Sequence, residues 1–507
     1  MSPKRILRNV LPFLIIATLP FVPQAKADFV GSEACSGCHS DIFRRWSQTP
    51  HANAIRPLYQ GGNHISAPWK GDLVLSEKLV IDVPVRITLS KEDGIYYAEL
   101  HDMKNPGKSR KLRVDQVGGT FSARERYYHK DEATGRTNVL PLDWNMANQT
   151  FLLFTPTAWW GKDGSLLDGV RAQRASKIIS FENKCSGCHN TGIHYTWEID
   201  PLVGYQTVKS QTYRELNIGC EKCHGPGSTH VAQPASGNIV KPSAIGHERA
   251  IEICAQCHSR GVSNENPNTT FPYRFTDPLK AEGYLPGKTF ADYLKVKPTR
   301  WAGTDISKQH HQQYEDYRGS AHARGGMACA SCHDPHGTKY KHYLKLEASD
   351  DSLCLSCHRS KPAFADPAVI DKHKGPGHLT GKGVPCISCH MPKTVFGTNR
   401  LEARFHSMRI ITPQESLKHF DLINPLTSKD PVALNKWAQI QKLGYCYNPA
   451  IPHNSLVGLC LEFDVLPNAC SACHTDTAPI LGQFSTDERN KLVAGENLYL
   501  RLKKQQK

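Results

Sequence analysis

Eight times along the chain two cysteines stand three positions apart with a histidine directly after the second. The sets are Cys35/Cys38/His39, Cys185/Cys188/His189, Cys220/Cys223/His224, Cys254/Cys257/His258, Cys329/Cys332/His333, Cys354/Cys357/His358, Cys386/Cys389/His390 and Cys470/Cys473/His474, and they use all but two of the 18 cysteines. A thiol pair at this spacing is open to a zinc knuckle or a redox dithiol. Neither explains the histidine. With 25 histidines in 507 residues, eight hits in eight by chance has a probability on the order of 10⁻¹⁰. Covalent haem attachment uses all three residues: each thiol forms a thioether to one porphyrin, and the adjacent histidine is carried underneath to bind the iron. Eight motifs therefore imply eight haem c groups.

Seventeen histidines lie outside the motifs, enough to give every iron a second imidazole. An iron held on both faces offers small molecules no open site, whereas one lacking the second histidine is where chemistry would occur. His51, His230, His311, His322, His336, His378 and His406 sit in polar, glycine-rich or motif-adjacent contexts suited to this role, with His194, His310, His373 and His453 in reserve. No catalytic residue can be nominated from the sequence.

The elements that must position these residues are lean. Only 39% of the chain is hydrophobic, with 33 prolines and 38 glycines, and flat apolar macrocycles would take the place of large core side chains. The net charge of +15 is scattered without a basic stripe or arm, which argues against nucleic acid as a partner. Lys4, Arg5 and Arg8, the apolar stretch from Val10 to Val22, and Ala25-Lys26-Ala27 read as a cleaved Sec signal peptide over 1–27. The apolar stretch is too short, and too broken by Pro12 and Pro20, to span a membrane. The expected protein has no membrane span after cleavage and is periplasmic, with an extracellular location open. Loss of four leader cations leaves +11, and sixteen propionates against eight ferric cores would bring this to roughly +3. Most of the basic excess is thus internal compensation.

Motif spacing divides the remainder into a first haem segment (28–65), a haem-free insertion (66–175), haems 2 to 4 (176–265), haems 5 to 7 with a doubled motif (266–400), and the eighth haem with a helical carboxy end (401–507). Within the insertion, alternating runs on either side of Lys91-Glu92-Asp93-Gly94 predict a hairpin, with further strands over 116–129 and 137–142. This β module is either a packing lid over the first haems or a surface for self-association, which extends to filament formation. Cys446 and Cys460, outside the motifs, most simply form a disulfide, the alternative being a thiolate near an iron.

Gly31-Ser32-Glu33-Ala34-Cys35 with Trp46 and His51, Gly219 to Ser228, His311-Gln312-Gln313-Tyr314 leading to His322, Cys329 to Gly337, and Cys386 to Pro392 together resemble the multihaem cytochromes c. That superfamily includes the nitrifier tetrahaem cytochrome c, hydroxylamine oxidoreductase and octahaem tetrathionate reductase. The resemblance implies a mainly α, loop-rich fold organised around stacked haem pairs, with the small β insertion between haems 1 and 2. It also implies electron transfer along closely spaced haems between redox partners, quinol-linked proteins or other cytochromes. The alternative is an oxidoreductase acting on hydroxylamine, nitrite, tetrathionate or sulfite at one open haem. The nitrite reductases of the superfamily carry a lysine in place of one motif histidine, and no motif here does.

Overall fold

The computed structural model describes residues 27–58, 65–77, 81–119, 124–266, 268–360, 384–395, 403–423 and 465–469, with a few isolated positions besides. The leader, His373, His378, Cys446, Cys460, His453, the eighth motif (Cys470, Cys473 and His474) and the expected carboxy-terminal helix lie outside the described residues.

Alternation builds the first layer. Val85–Glu92 and Ile95–His101 bury every second residue, closing through Asp93 (φ 48°) and Gly94 (φ 84°), the paired positive dihedrals of a tight hairpin turn. With Gly71–Leu75 and Ser109–Arg113 they form a four-stranded antiparallel meander. A five-stranded antiparallel sheet follows in the order Ile55–Pro57, Gln116–Gly118, Arg124–Lys130, Thr137–Asn145, Thr150–Leu153. The two sheets share one core containing Trp69, Tyr127, Trp144 and Trp160. Thr137–Asn145 is buried on both faces. Leu140 and Leu142 enter that core, while Val139 packs with Ile55, Tyr128 and Phe181 beside Cys185. The five-stranded sheet is therefore the wall against which the second motif rests.

The expectation of a mainly α fold is wrong. The architecture is mixed, with six antiparallel sheets among the described residues. Of the described α-helices, only Gly169–Ile179, His247–His258 and Pro413–Ile423 exceed seven residues. The reason is that the haem-attachment motif needs one helical turn and no more. In the first, second and fifth motifs the histidine amide closes a single turn onto the first cysteine carbonyl: His39 to Cys35 at 2.9 Å, His189 to Cys185 at 3.0 Å and His333 to Cys329 at 3.0 Å. Between motifs the chain is free to form strands. His194–Asp200 pairs with Tyr205–Thr212 and Lys280–Gly283, the last also pairing with Tyr273–Asp277.

No single core serves the whole molecule. Tyr195, Trp197, Phe271 and Tyr273 pack beside Cys188, and Ile251, Phe290, Tyr293, Tyr314 and Tyr317 pack beside Cys329. Gly187 is required by the first of these clusters, because a Cβ there would lie 2.3 Å from the Phe271 ring. Among the described residues no helix is long and apolar enough to cross a membrane.

The sheet wall contains a buried ion pair. Arg126 donates from Nε and Nη2 to Asp143 at 2.8 and 2.7 Å and stacks 3.3 Å over the Phe154 ring, and the Asp143 side chain is fully buried. Removing one partner leaves a buried, uncompensated charge. Asp143→Ala is expected to destabilise the fold by about 3–5 kcal/mol, seen as a lower guanidinium midpoint by far-UV circular dichroism; an unchanged midpoint would show that the pair contributes nothing.

Candidate haem-binding site

An imidazole bound on each side of one iron has a fixed spacing. Two metal–nitrogen bonds of about 2 Å, plus about 1.2 Å from each nitrogen to its ring centre, put the centres roughly 6.4 Å apart. Among the described residues, four histidine pairs have this spacing. His39 and His230 are 6.5 Å apart at 16°, His224 and His336 6.2 Å at 9°, His258 and His51 6.4 Å at 71°, and His358 and His322 5.9 Å at 76°. Each joins a motif histidine to one of the non-motif candidates.

Hydrogen bonding leaves the correct nitrogen free. Nδ1–H of His224 donates to the Val240 carbonyl at 2.8 Å, that of His333 to His342 at 3.0 Å and that of His406 to Arg404 at 2.9 Å. His230 Nδ1 contacts Asn238 Oδ1 at 2.9 Å and the Ala235 carbonyl at 3.1 Å. A neutral ring that donates from Nδ1 keeps its lone pair on Nε2, as iron ligation requires. Burial also holds the rings neutral, depressing His51, His189 and His406 each to about 4. The residues present fit haem c.

The remaining candidates divide. His406 is half-buried, and of the histidines whose charge it feels, His333 acts most strongly. His311 is not in a motif pair among the described residues; its ring abuts His310 at 4.1 Å. His194 is exposed on its strand.

Thiols of different motifs meet. Cys35 hydrogen-bonds with Cys220, Cys188 with Cys257, Cys254 with Cys329, and Cys354 with Cys386. Cys223 lies in the field of Cys257, and Cys332 in that of Cys354 and Cys357. The four thiol contacts and these two electrostatic links together connect all seven described motifs. A carboxylate secures the first junction: Glu221 accepts from the amides of Val30, Gly31 and Gly227 at 2.7–3.0 Å, fastening the amino-terminal segment to the third motif.

The motif residues are not all enclosed to the same degree. Cys38 and Cys357, the second thiols of the first and sixth motifs, are exposed to solvent rather than packed between motifs. The Cys38 amide closes its turn onto the Cys35 carbonyl at 3.3 Å, and the Cys357 thiol accepts from the Ser356 hydroxyl at 3.8 Å. In the seventh motif Cys389 and His390 end the one-turn helix Cys386–His390 and are half-buried. His390 is therefore placed by its own turn, as a motif histidine should be. Cys473, like Cys470 and His474, lies outside the described residues, so the eighth motif remains a reading of the sequence.

The second motif has different surroundings. The His189 ring lies 6.5 Å from Phe181, and the cations Lys222, Arg126 and Arg124 depress it further. His310 and His311 share the field of Arg124 and Arg260, and His311 also that of His189. His311 has φ 45°, a left-handed conformation that costs a non-glycine residue on the order of 1 kcal/mol and clusters at functional sites. The arginines and Lys222 carry no spacing pattern that sequence reading could have caught; only folding gathers them.

Histidine rings paired at the spacing of two imidazoles on one iron, beside the cysteines of the attachment motifs, define a haem c electron-transfer protein, and comparison with known proteins gives the family. The cytochrome c552 family model matches residues 202–378, and that of cytochrome c554 and c-prime matches 34–73 and 167–225. The dissimilatory sulfite reductase MccA of Wolinella succinogenes is 24% identical over 403 residues, 72% of this chain and 50% of that protein. A cytochrome c-552 of Aliarcobacter butzleri is 27% identical over 196 residues, 34% of this chain and 38% of that protein. The chain thus spans about half the length, or less, of these two relatives. The crystal structure of the outer cell wall cytochrome OcwA superposes with a TM-score of 0.50 at 17% identity, over 94% of this chain and all of that one, and shares its fold. The chain belongs to the multihaem cytochromes c.

Replacing one member of a pair tests the geometry. His230→Ala and His336→Ala are each expected to convert one iron from low to high spin by electron paramagnetic resonance, while His194→Ala leaves the spectrum unchanged. Spectra identical to the unmodified protein in the first two variants would remove these residues from the ligand set.

Proposed function

We propose that the chain is an exported octahaem cytochrome c that carries electrons between redox partner proteins, which are quinol-linked proteins or other cytochromes. Haem c groups supply one-electron chemistry when bound; the polypeptide supplies spacing, ligands and local charge. The observation that carries this reading is the thiol-to-thiol contact between motifs. Cysteines that hold the edges of different macrocycles and touch one another bring those edges together, and short steps between edges are what electron transfer needs. On this reading the first motif adjoins the third, the third the fourth, and the fourth both the second and the fifth, from which the path runs to the sixth and seventh. His39, His224, His258 and His358 are the proximal ligands paired with His230, His336, His51 and His322, and His406 serves His333. The excess of basic residues balances propionates, and the periplasm or cell exterior is the compartment.

A second reading is supported by the surroundings of His189. Arg124 and Arg260, with His310 and the strained His311 held neutral by burial and by these cations, form a group near a motif histidine that has no histidine ring partner among the described residues. Such a group suits a small nitrogen or sulfur anion at an open haem, and supports an oxidoreductase role at the second motif. The arginines would attract the anion and the neutral imidazoles would hydrogen-bond to it.

Stopped-flow reduction with excess dithionite is expected to bring every haem to the ferrous state with no isolated fraction. A fraction equal to one haem or more that stays oxidised until a mediator is added would contradict a connected chain. Resonance spectra of oxidised protein with nitrite, hydroxylamine or sulfite separate the two readings. A single high-spin iron perturbed by one of them favours the oxidoreductase, and wholly low-spin, unperturbed irons remove it.

A further inference from the structure

Lys222 stands between the two cysteines of the third motif, but its ammonium serves another. Nζ donates to the carbonyls of Gly187 at 2.7 Å and Asn190 at 2.9 Å, at the carboxy end of the Ser186–His189 turn that carries the second motif. The residue is only 6% exposed. Gln256, from the fourth motif, fixes its main chain by donating from Nε2 to the Lys222 carbonyl at 2.9 Å. Both described hydrogen bonds of the ammonium go to neutral carbonyl dipoles, and among the described residues no carboxylate forms an ion pair with it. The adjacent Glu221 is turned away toward the Val30, Gly31 and Gly227 amides. The charge is felt by His189, Cys188, Cys223 and Cys257, and so by three motifs at once. The three cysteines are thioether positions, and a c-type haem carries its propionates on the opposite edge.

A neutral amide could cap the same carbonyls without the cost of burying a charge. What the ammonium adds is a fixed positive potential in a poorly screened interior. We propose that Lys222 is a positioning residue for electrons: its buried charge raises the reduction potential of the haem held by Cys185 and Cys188, and to a lesser extent that of its neighbours. Reduction adds one electron, delivered by a redox partner through the Cys188–Cys257 contact, and lowers the positive charge at the iron by one; the nearby cation stabilises that product over the ferric state. The second motif then becomes a place where electrons collect. This rests on the reading of Cys185, Cys188 and His189 as a haem site.

The test is a potentiometric titration of the purified holoprotein, followed by visible absorbance and electron paramagnetic resonance, after a pyridine haemochrome count and peptide mapping of the haem on Cys185 and Cys188. Lys222→Met is expected to move one component of the titration to more negative potential, with Lys222→Arg close to the unmodified protein. Gln256→Glu, which sets a negative charge beside the same three motifs and keeps Lys222, is expected to move the same component in the same direction. The inference is overturned if Lys222→Met with a full haem complement titrates like the unmodified protein, or if Lys222→Arg shifts as far as Lys222→Met. Should Lys222→Met fail to mature, an unshifted Gln256→Glu overturns it. Absence of haem from Cys185 and Cys188 in the unmodified protein overturns the underlying haem assignment instead.

Discussion

The distance across an iron atom between two imidazoles, roughly 6.4 Å from ring centre to ring centre, is the constraint on which the rest of this structure depends. His39 faces His230, His51 faces His258, and His224 faces His336, so an iron bound between each pair would fasten segments separated by a hundred residues or more. The stretch from Cys35 to His51 would then be held twice, to His230 just after the third motif and to His258 of the fourth, before any hydrophobic packing is considered. Glu221, gripping the amides of Val30, Gly31 and Gly227, reinforces the first of these ties.

That constraint explains why the polypeptide is assembled from small pieces. A chain fastened at many points needs no continuous apolar interior. It fills the space around each motif with a local aromatic cluster: Tyr128 and Phe181 by Cys185, Phe271 and Tyr195 by Cys188, Tyr314 and Tyr317 by Cys329. One-turn motifs free the intervening chain for antiparallel hairpins, and the larger sheet pair, with its own tryptophan-rich core, braces the second motif from outside. The arginines of that sheet, Arg124 and Arg126, reach the same motif, so the module that supports the site also sets its charge.

What could be read from the sequence was whatever is local. The cysteine spacing, the following histidine and the Asp93-Gly94 turn each lie within a few residues, and each is expressed in local geometry. The distal candidates His51, His230, His322 and His336 were legible as residue types in suitable contexts, but their partners were not, because pairing is decided by the path of the chain between them. Nor could spacing tell the exposed thiols Cys38 and Cys357 from those, such as Cys188 and Cys257, that meet across a junction. His311 had the same local credentials and instead lies against His310 in a strained conformation. The mixed architecture is not legible in the sequence because the multihaem resemblance, which implies helices, resides in the motifs and says little about the strands between them. Lys222 was hidden for a different reason: it sits inside one motif and acts on another.

The most direct test of the central claim is a structure of the holoprotein with iron located by anomalous scattering. Iron is expected midway between His39 and His230, His224 and His336, His258 and His51, and His358 and His322, with haem edges in contact where Cys35 meets Cys220 and Cys188 meets Cys257. Iron bound to other histidines, or these pairs closed onto one another with no iron between them, would contradict it.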